Sequence, residues 1–186
     1  MQTPITLVTG NPNKLRELTA IAPAGFAFTN QKVELEEIQS LDLRAIVEDK
    51  VRRAYDRLKT PVIVEDVSAE LASLHGLPGP FIKFFEERLG RGALYTLSKT
   101  QNDRLTIRCI AAYYDGQKIL YGEGAIEGTV VAPRGQNGFG FDCVLVPDTQ
   151  PTGDTEPRTV AEMTDDEKNA ISHRAQALRA LITQLA

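Results

Sequence analysis

The chain is poor in sulfur, carrying two cysteines, Cys109 and Cys143, in 186 residues. There is no CxxC and no Cys/His cluster, which argues against a zinc site. Both cysteines lie in apolar, strand-like stretches and read as reduced core thiols. No apolar run approaches the ~18 residues that a membrane span needs. The opening MQTPITLVTG lacks a basic n-region and a long apolar h-region, so a secretory signal is not expected and a cytoplasmic protein is. There is no excess of positive charge. The net charge of -4 argues against a nucleic-acid binder, which shows a basic face, but not against a small anion held by a few lysines. Internal repeats and low-complexity tracts are absent as well. What is present is ordinary for a globular chain, 42% hydrophobic and 25% charged, and the length suits one domain over 1–186 with room for two lobes.

Helix and strand signals alternate. Ile5–Val8 reads as a central strand, followed by the turn Gly10-Asn11-Pro12. Asn11 suits a helix N-cap and Pro12 the first helical position, with Leu15, Leu18 and Ala22 at helical spacing. A second strand is expected over about Phe26–Leu35. Asp42 can cap a helix to about Leu58 whose stripe is Leu43, Ile46, Val47, Val51, Ala54 and Leu58. Val62–Val64 reads as a strand ending at the acid pair Glu65-Asp66. HGLPGP, His75 to Pro80, reads as a rigid loop, and Gly79-Pro80 can open a helix holding Phe81, Phe84, Phe85 and Leu89 and stopping at Gly90. Leu105–Tyr113 and Gln117–Val131 carry strand signals around a two-residue Asp115-Gly116 hairpin turn. A further strand is expected near Phe139–Val146, then a polar loop, Pro147–Arg158. Thr164-Asp165-Asp166-Glu167 is a capping-box pattern, opening a last helix with the stripe Ile171, Ala175, Leu178, Ile182 and Leu185. The class is α/β, with a mixed sheet flanked by helices.

Several groups could carry chemistry, each with a plainer reading beside it. The turn TGNPNK, Thr9 to Lys14, leads a strand into a helix N-terminus, where free N–H groups favour an anion. It lacks the GxxxxGK[ST] of a P-loop, and taken alone it reads first as an ordinary capped helix start. Lys50 projects inside an apolar stripe, either snorkelling or aimed at an anion. Glu34, Glu36 and Glu37 form one acidic group and Glu65-Asp66 another, either solvated charge or ligands for Mg²⁺. Glu65 and Asp66 depart further from solvated charge, because burying an unpaired carboxylate is costly. FGFD, Phe139 to Asp142, puts two phenylalanines on one side of a strand, as core packing or as a surface on which a base stacks. In KNAISHR, Lys168 to Arg174, a regular helix turns Arg174 inward and His173 to nearly the opposite side. An inward arginine takes an ion pair with an acid, or an anion or carbonyl of a ligand. His75 reads as an exposed loop residue.

The order TGNxxK, ED, LPGPFIKFF, APRG…FGFD and AEMxxxEKNAISHR resembles the inosine triphosphate pyrophosphatases, enzymes for non-standard purine nucleotides. The likeness spans nearly the whole chain. It implies two lobes with a central substrate cleft, a homodimer, and Mg²⁺-dependent (or Mn²⁺-dependent) hydrolysis of ITP, dITP or XTP to the monophosphate and pyrophosphate. By motif, Thr9, Gly10, Asn11 and Lys14 would hold the phosphates, with Lys50 and Lys83 along their path. Glu37 and Asp66 would bind the metal. Phe139, Gly140, Phe141 and Asp142 would form the base pocket, and Lys168, His173 and Arg174 would read the base. Lys14, Asp66 and Glu65 would act in catalysis, with the choice between the two acids as the group that orients water left open. No nucleic acid or membrane partner is implied.

Two positions depart from that pattern. Val67 stands where a serine or threonine usually follows the acid pair, with Ser68 one further on. Phe141 stands where a tryptophan or tyrosine is often found. The first change keeps a non-catalytic nucleotide binder in play, and a pyrophosphatase for modified pyrimidine nucleotides is a third reading.

Overall fold

The first apolar run forms strand β1 (Ile5–Val8), and the turn after it opens helix α1 (Pro12–Ile21) in a computed structural model that describes residues 5–21, 28–100, 102–151 and 156–185. Asn11 caps α1, its Oδ1 accepting from the N–H of Asn13 at 2.9 Å and of Lys14 at 3.4 Å. Leu18 is buried on this helix, while Ala22 of the expected stripe lies outside the described residues. Strand β2 is Phe28–Gln31, shorter than expected at its C-terminal end. Val33 and Leu35 pack against the core without joining the sheet, and residues 26 and 27 lie outside the described ones.

Helix α2 (Leu43–Leu58) is capped by Asp42, which accepts from the N–H groups of Arg44 and Ala45. Its expected stripe is buried from Leu43 to Ala54, with Leu58 partly buried against the same core. Strand β3 spans Val62–Leu71, so it does not end at the acid pair as the sequence suggested. Charge alone does not stop a strand when partners lie on both faces, and Val67, Ala69 and Leu71 beyond the pair are buried. Within HGLPGP, read as a loop, Pro78–Gly79 forms the short strand β4, antiparallel to Ala69-Glu70. Helix α3 (Ile82–Leu89) starts two residues after Pro80 and stops at Gly90, and a short helix α4 (Ala93–Leu97) follows.

Strands β5 (Arg104–Tyr114) and β6 (Ile119–Val130) are sheet neighbours. Their connection takes four residues, not two, because Asp115 Oδ1 accepts from the N–H groups of both Gln117 and Lys118 at 2.9 Å and opens the turn. The stretch Phe139–Val146 is mostly not a strand. Gly138 and Gly140 take left-handed backbone, φ 64° and 57°, and Gly140–Val144 winds into a 3-10 turn before strand β7 (Leu145–Pro147). Helix α5 (Asp165–Ile171) carries the expected capping box, Thr164 with Glu167. The expected single closing helix is broken at Ser172, which is extended at ψ 147°, and helix α6 (His173–Thr183) restarts after it. The break resets the helical phase, so His173 is buried along with Arg174 rather than facing the opposite way.

The described strands form a seven-stranded mixed sheet in the order β2-β1-β3-β5-β6-β7, with β4 paired to β3. β1 runs parallel to β2 and β3, and β7 antiparallel to β6. The chain divides into two compact units: Met1–Asp66 with Cys109–Gly124 and His173–Ala186, and Val67–Arg108 with Ala125–Ser172.

In the first unit, Val47, Val51 and Ala54 of α2 pack against Val8, Val62, Val64, Ile110 and Ala112. Strand residues alternate in direction, so Leu7, Ile63, Glu65 and Cys109 point away from α2. Helix α1 packs on α6. The approach of α6 to β6 depends on two glycines two residues apart. A Cβ at Gly122 would collide with the backbone of Ala177 and Leu181, and one at Gly124 with the backbone of His173 and Ala177. Gly124→Ala is therefore expected to destabilise the protein by about 1–3 kcal/mol through overpacking. A lowered urea midpoint with an unchanged slope checks it, and an unchanged midpoint would show that α6 does not press on β6 there.

Candidate active site

One peptide step separates Glu65 from Asp66, and the strand sends them opposite ways. Glu65 is buried and points toward the α1 and α6 side, where its Oε1 lies 2.6 Å from Lys14 Nζ and its Oε2 3.3 Å from Arg174 Nε. Arg174, itself buried, also pairs through Nη1 with Glu17 of α1. The four groups form a chain of alternating sign, buried at Glu17, Arg174 and Glu65 and half-buried at Lys14. Cys109 Sγ borders it, 3.5 Å from Glu65 Oε2.

This chain decides the charge on Glu65. Burial alone would raise its pKa, but the Lys14 charge, and after it that of Arg174, holds the carboxyl far below the usual range. Arg174 is driven up for the matching reason, Glu65 and Glu17 outweighing its burial. Cys109 is pushed well up, first by burial and then by the Glu65 charge, so it stays a thiol.

Asp66 points to the α2 side. Its Oδ2 lies 3.2 Å from Lys50 Nζ, and the same ammonium lies 2.5 Å from Glu37 Oε1. The two acids expected to bind metal thus converge on one cation. Lys50 neither snorkels freely nor waits for an anion: its ammonium is already paired. Burial would lower its pKa, but Asp66 and then Glu37 raise it instead. Glu34 and Glu36 are exposed, Glu36 lying 3.8 Å from Arg53.

The TGNPNK turn is ordered by its own side chains. Thr9 Oγ1 accepts from the Asn11 N–H at 3.1 Å, and Gly10 is exposed at its crest. The cap at Asn11 already engages the Asn13 and Lys14 N–H groups and Pro12 has none, so what this turn offers an anion is the Lys14 ammonium rather than open backbone donors.

The second unit holds the FGFD turn. Asp142 is buried, and its Oδ2 accepts from Lys168 Nζ at 2.6 Å and from the Phe139 N–H at 2.8 Å. The Lys168 ammonium lies 4.6 Å from the Phe139 ring centroid. Phe139 and Phe141 are half-buried, and because Phe139 is the extended residue before a 3-10 turn that holds Phe141, the strand rule of spacing by two does not apply to them. Arg91 pins the turn from outside, its Nη2 donating to the Asn137 carbonyl at 2.8 Å. Lys83 joins none of this. Its side chain is 74% exposed and 4.0 Å from Glu87. His75 is exposed, as expected. Val67 is buried, and the Ser68 hydroxyl donates to Glu70 at 2.9 Å.

Sequence reasoning missed Glu17 and Arg91. Glu17 stands three residues after Lys14, so the two share a face of α1, and a charged residue beside the apolar Leu18 was the available signal. Arg91 acts on backbone carbonyls and leaves no signal in a single sequence.

Comparison with known proteins places this arrangement in a class. Residues 5–184 match the Ham1 family, and the chain belongs to that family. It is 42% identical over 180 residues to inosine triphosphate pyrophosphatase 2 of Trypanosoma cruzi, covering 95% of this chain and 89% of that one. It is 41% identical over 186 residues to the inosine triphosphate pyrophosphatase of Yarrowia lipolytica, covering 98% and 95%. Among solved structures, a HAM1 protein from Coxiella burnetii superposes with a TM-score of 0.80 at 27% identity, covering 99% of this chain and 98% of that one.

The depressed Glu65 fixes a pH dependence. A carboxyl whose folded pKa lies below its unfolded value of ~4.3 stabilises the fold fully above that value. The contribution declines as pH falls toward the folded pKa. Glu65→Gln leaves the buried Arg174 and the half-buried Lys14 without their shared partner and is expected to cost about 3–5 kcal/mol at pH 7. Urea unfolding should show the gap to the parent protein narrowing as pH is lowered from 5 to 3. A gap constant with pH would mean that the Glu65 charge is not what is lost.

Proposed function

We propose that the protein hydrolyses inosine- and xanthosine-type nucleoside triphosphates (ITP, dITP, XTP) to the monophosphate and pyrophosphate, with Mg²⁺ or Mn²⁺ as cofactor and residues 1–186 acting as one two-lobed domain. The observation that carries the reading is the acid pair on β3, each member bound to a lysine, Lys14 at 2.6 Å and Lys50 at 3.2 Å. The curated relatives named inosine triphosphate pyrophosphatase support it. A cytoplasmic homodimer without nucleic-acid or membrane partners belongs to the same reading. The net charge of -4 and two buried free cysteines support it, and no helix among the described residues is long and apolar enough to cross a membrane.

Glu37 and Asp66 fit the metal. Magnesium takes one or two carboxylates and completes its shell with waters and substrate phosphates. Two carboxylates converging on one cation offer that donor set, and the described residues hold no group of three or more side-chain ligands. When bound, the ion supplies charge that offsets the polyphosphate and the developing pyrophosphate.

The remaining steps fall to the chain's own residues. Lys14 receives phosphate oxygens and stabilises the charge that grows on the leaving group. Asp66 orients the attacking water. Glu65 is unsuited to that task, because an acid held so far below its usual range is too weak a base to draw a proton. It serves instead to hold Lys14. Base recognition falls first to Lys168, fixed by Asp142 beside Phe139, since Arg174 is engaged by Glu17 and Glu65. An ammonium donates to a 6-oxo group and repels the donors of a 6-amino group.

Steady-state kinetics with product analysis test the reading. ITP should give IMP and pyrophosphate, with kcat/KM above that for ATP by roughly 10²–10⁴-fold, the range open to a polar pocket. Equal use of ATP, or release of IDP, overturns it. Tight ITP binding without turnover would instead favour a binding protein, the outcome that the apolar Val67 allows. Asp66→Asn should lower kcat by about 10²–10⁴-fold with the circular dichroism spectrum unchanged. Full activity in that variant removes Asp66 from the reaction.

A further inference from the structure

The Lys50 ammonium is placed where the proposed metal would act, 2.5 Å from Glu37 Oε1 and 3.2 Å from Asp66 Oδ2. Its side chain is 15% exposed, and Val47 and Val51 on the same helix are fully buried. The stem is therefore held in the apolar stripe, and the head reaches only a short arc around the two acids. Lys14 is different: its carboxylate partner is Glu65, which faces the other side of β3 and is not a proposed ligand.

We propose that Lys50 is a built-in placeholder for the divalent cation. Without nucleotide, its ammonium lies between Glu37 and Asp66, relieves their mutual repulsion and keeps the ion out. A polyphosphate offers the ammonium a new set of oxygens within a short swing, and the two carboxylates are then open to the ion. Metal and nucleotide thereby bind cooperatively, each favouring the arrangement that the other needs. The free protein does not hold metal in wait. This inference rests on the proposed metal site.

The test is Mn²⁺ titration followed by the electron paramagnetic resonance signal of free Mn²⁺, with and without the α,β-methylene analogue of ITP. Without nucleotide, Lys50→Met and Lys50→Gln should bind Mn²⁺ at least tenfold more tightly than the parent protein. Lys14→Met should not, and adding Glu37→Gln to Lys50→Met should cancel the gain. The analogue should tighten Mn²⁺ binding strongly in the parent and little in the Lys50 variants. Melting curves give a second readout, because Mn²⁺ should raise the midpoint of either Lys50 variant more than that of the parent. Lys50 variants that bind Mn²⁺ no better than the parent, while Glu37→Gln still weakens binding in the presence of analogue, overturn the placeholder and leave the metal site standing. Mn²⁺ binding that neither Glu37→Gln nor Asp66→Asn alters, with or without analogue, overturns the metal site and the placeholder with it.

Discussion

A carboxylate in the middle of a buried strand is tolerable only where its charge is answered on the spot. Glu65 is answered by Lys14 and Arg174, and much of the first unit follows from that requirement. Lys14 must come from the first turn of α1, which fixes the turn after β1. Arg174 must come from the start of α6, and it brings its own partner, Glu17, from α1. Removing one member of such a set strands the others in low dielectric, at a cost of several kcal/mol. The set therefore ties two helices to one strand in a specific register, since no member can be moved away without leaving a charge unanswered. It also needs α6 close to the sheet, and a Cβ at Gly122 or Gly124 would bar that approach.

The alternation of a β-strand divides the work between neighbours. Glu65 and Asp66 have nearly the same chemistry, yet one peptide unit sends them to opposite faces. Glu65 meets two cations, becomes a very weak base and holds a lysine in place. Asp66 shares one cation, Lys50, with Glu37. Role follows here from which face a side chain occupies, and β3 can offer both faces because it continues past the acid pair to Leu71.

Where local signals were strong, the sequence was legible. The Asp42 cap placed the start of α2 and its stripe the approximate end, and the Thr164 box placed the start of α5. Asn11 and Pro12 did the same for α1. The failures share a cause. FGFD was read by its aromatic spacing, when the left-handed Gly138 and Gly140 govern the local path. The last helix was read as one period, when Ser172, a residue type favoured at helix N-caps, breaks it and changes the facing of His173. In each case a periodic pattern overrode a single-residue signal. Partner choice lay deeper still: that Lys50 holds two acids, and Arg174 two others, depends on contacts from 13 to 157 residues apart.

Both units place their key cations in pairs before any ligand arrives. In the first, Lys14 and Lys50 rest on carboxylates; in the second, Lys168 rests on Asp142, with the Phe139 ring beneath its charge. In the proposed function, a ligand at any of these cations exchanges with an existing partner and does not simply fill an open site. Exchange is demanding, because a group that cannot replace the carboxylate's hydrogen bonds leaves a buried charge poorly answered. Phosphate oxygens can make the replacement fully, and a purine 6-oxo group can share Lys168 with Asp142 without displacing it. A 6-amino group can do neither, since it brings donors to a donor. In the proposed reading, pre-pairing turns a small chemical difference in the base into rejection of the wrong one without a close steric fit.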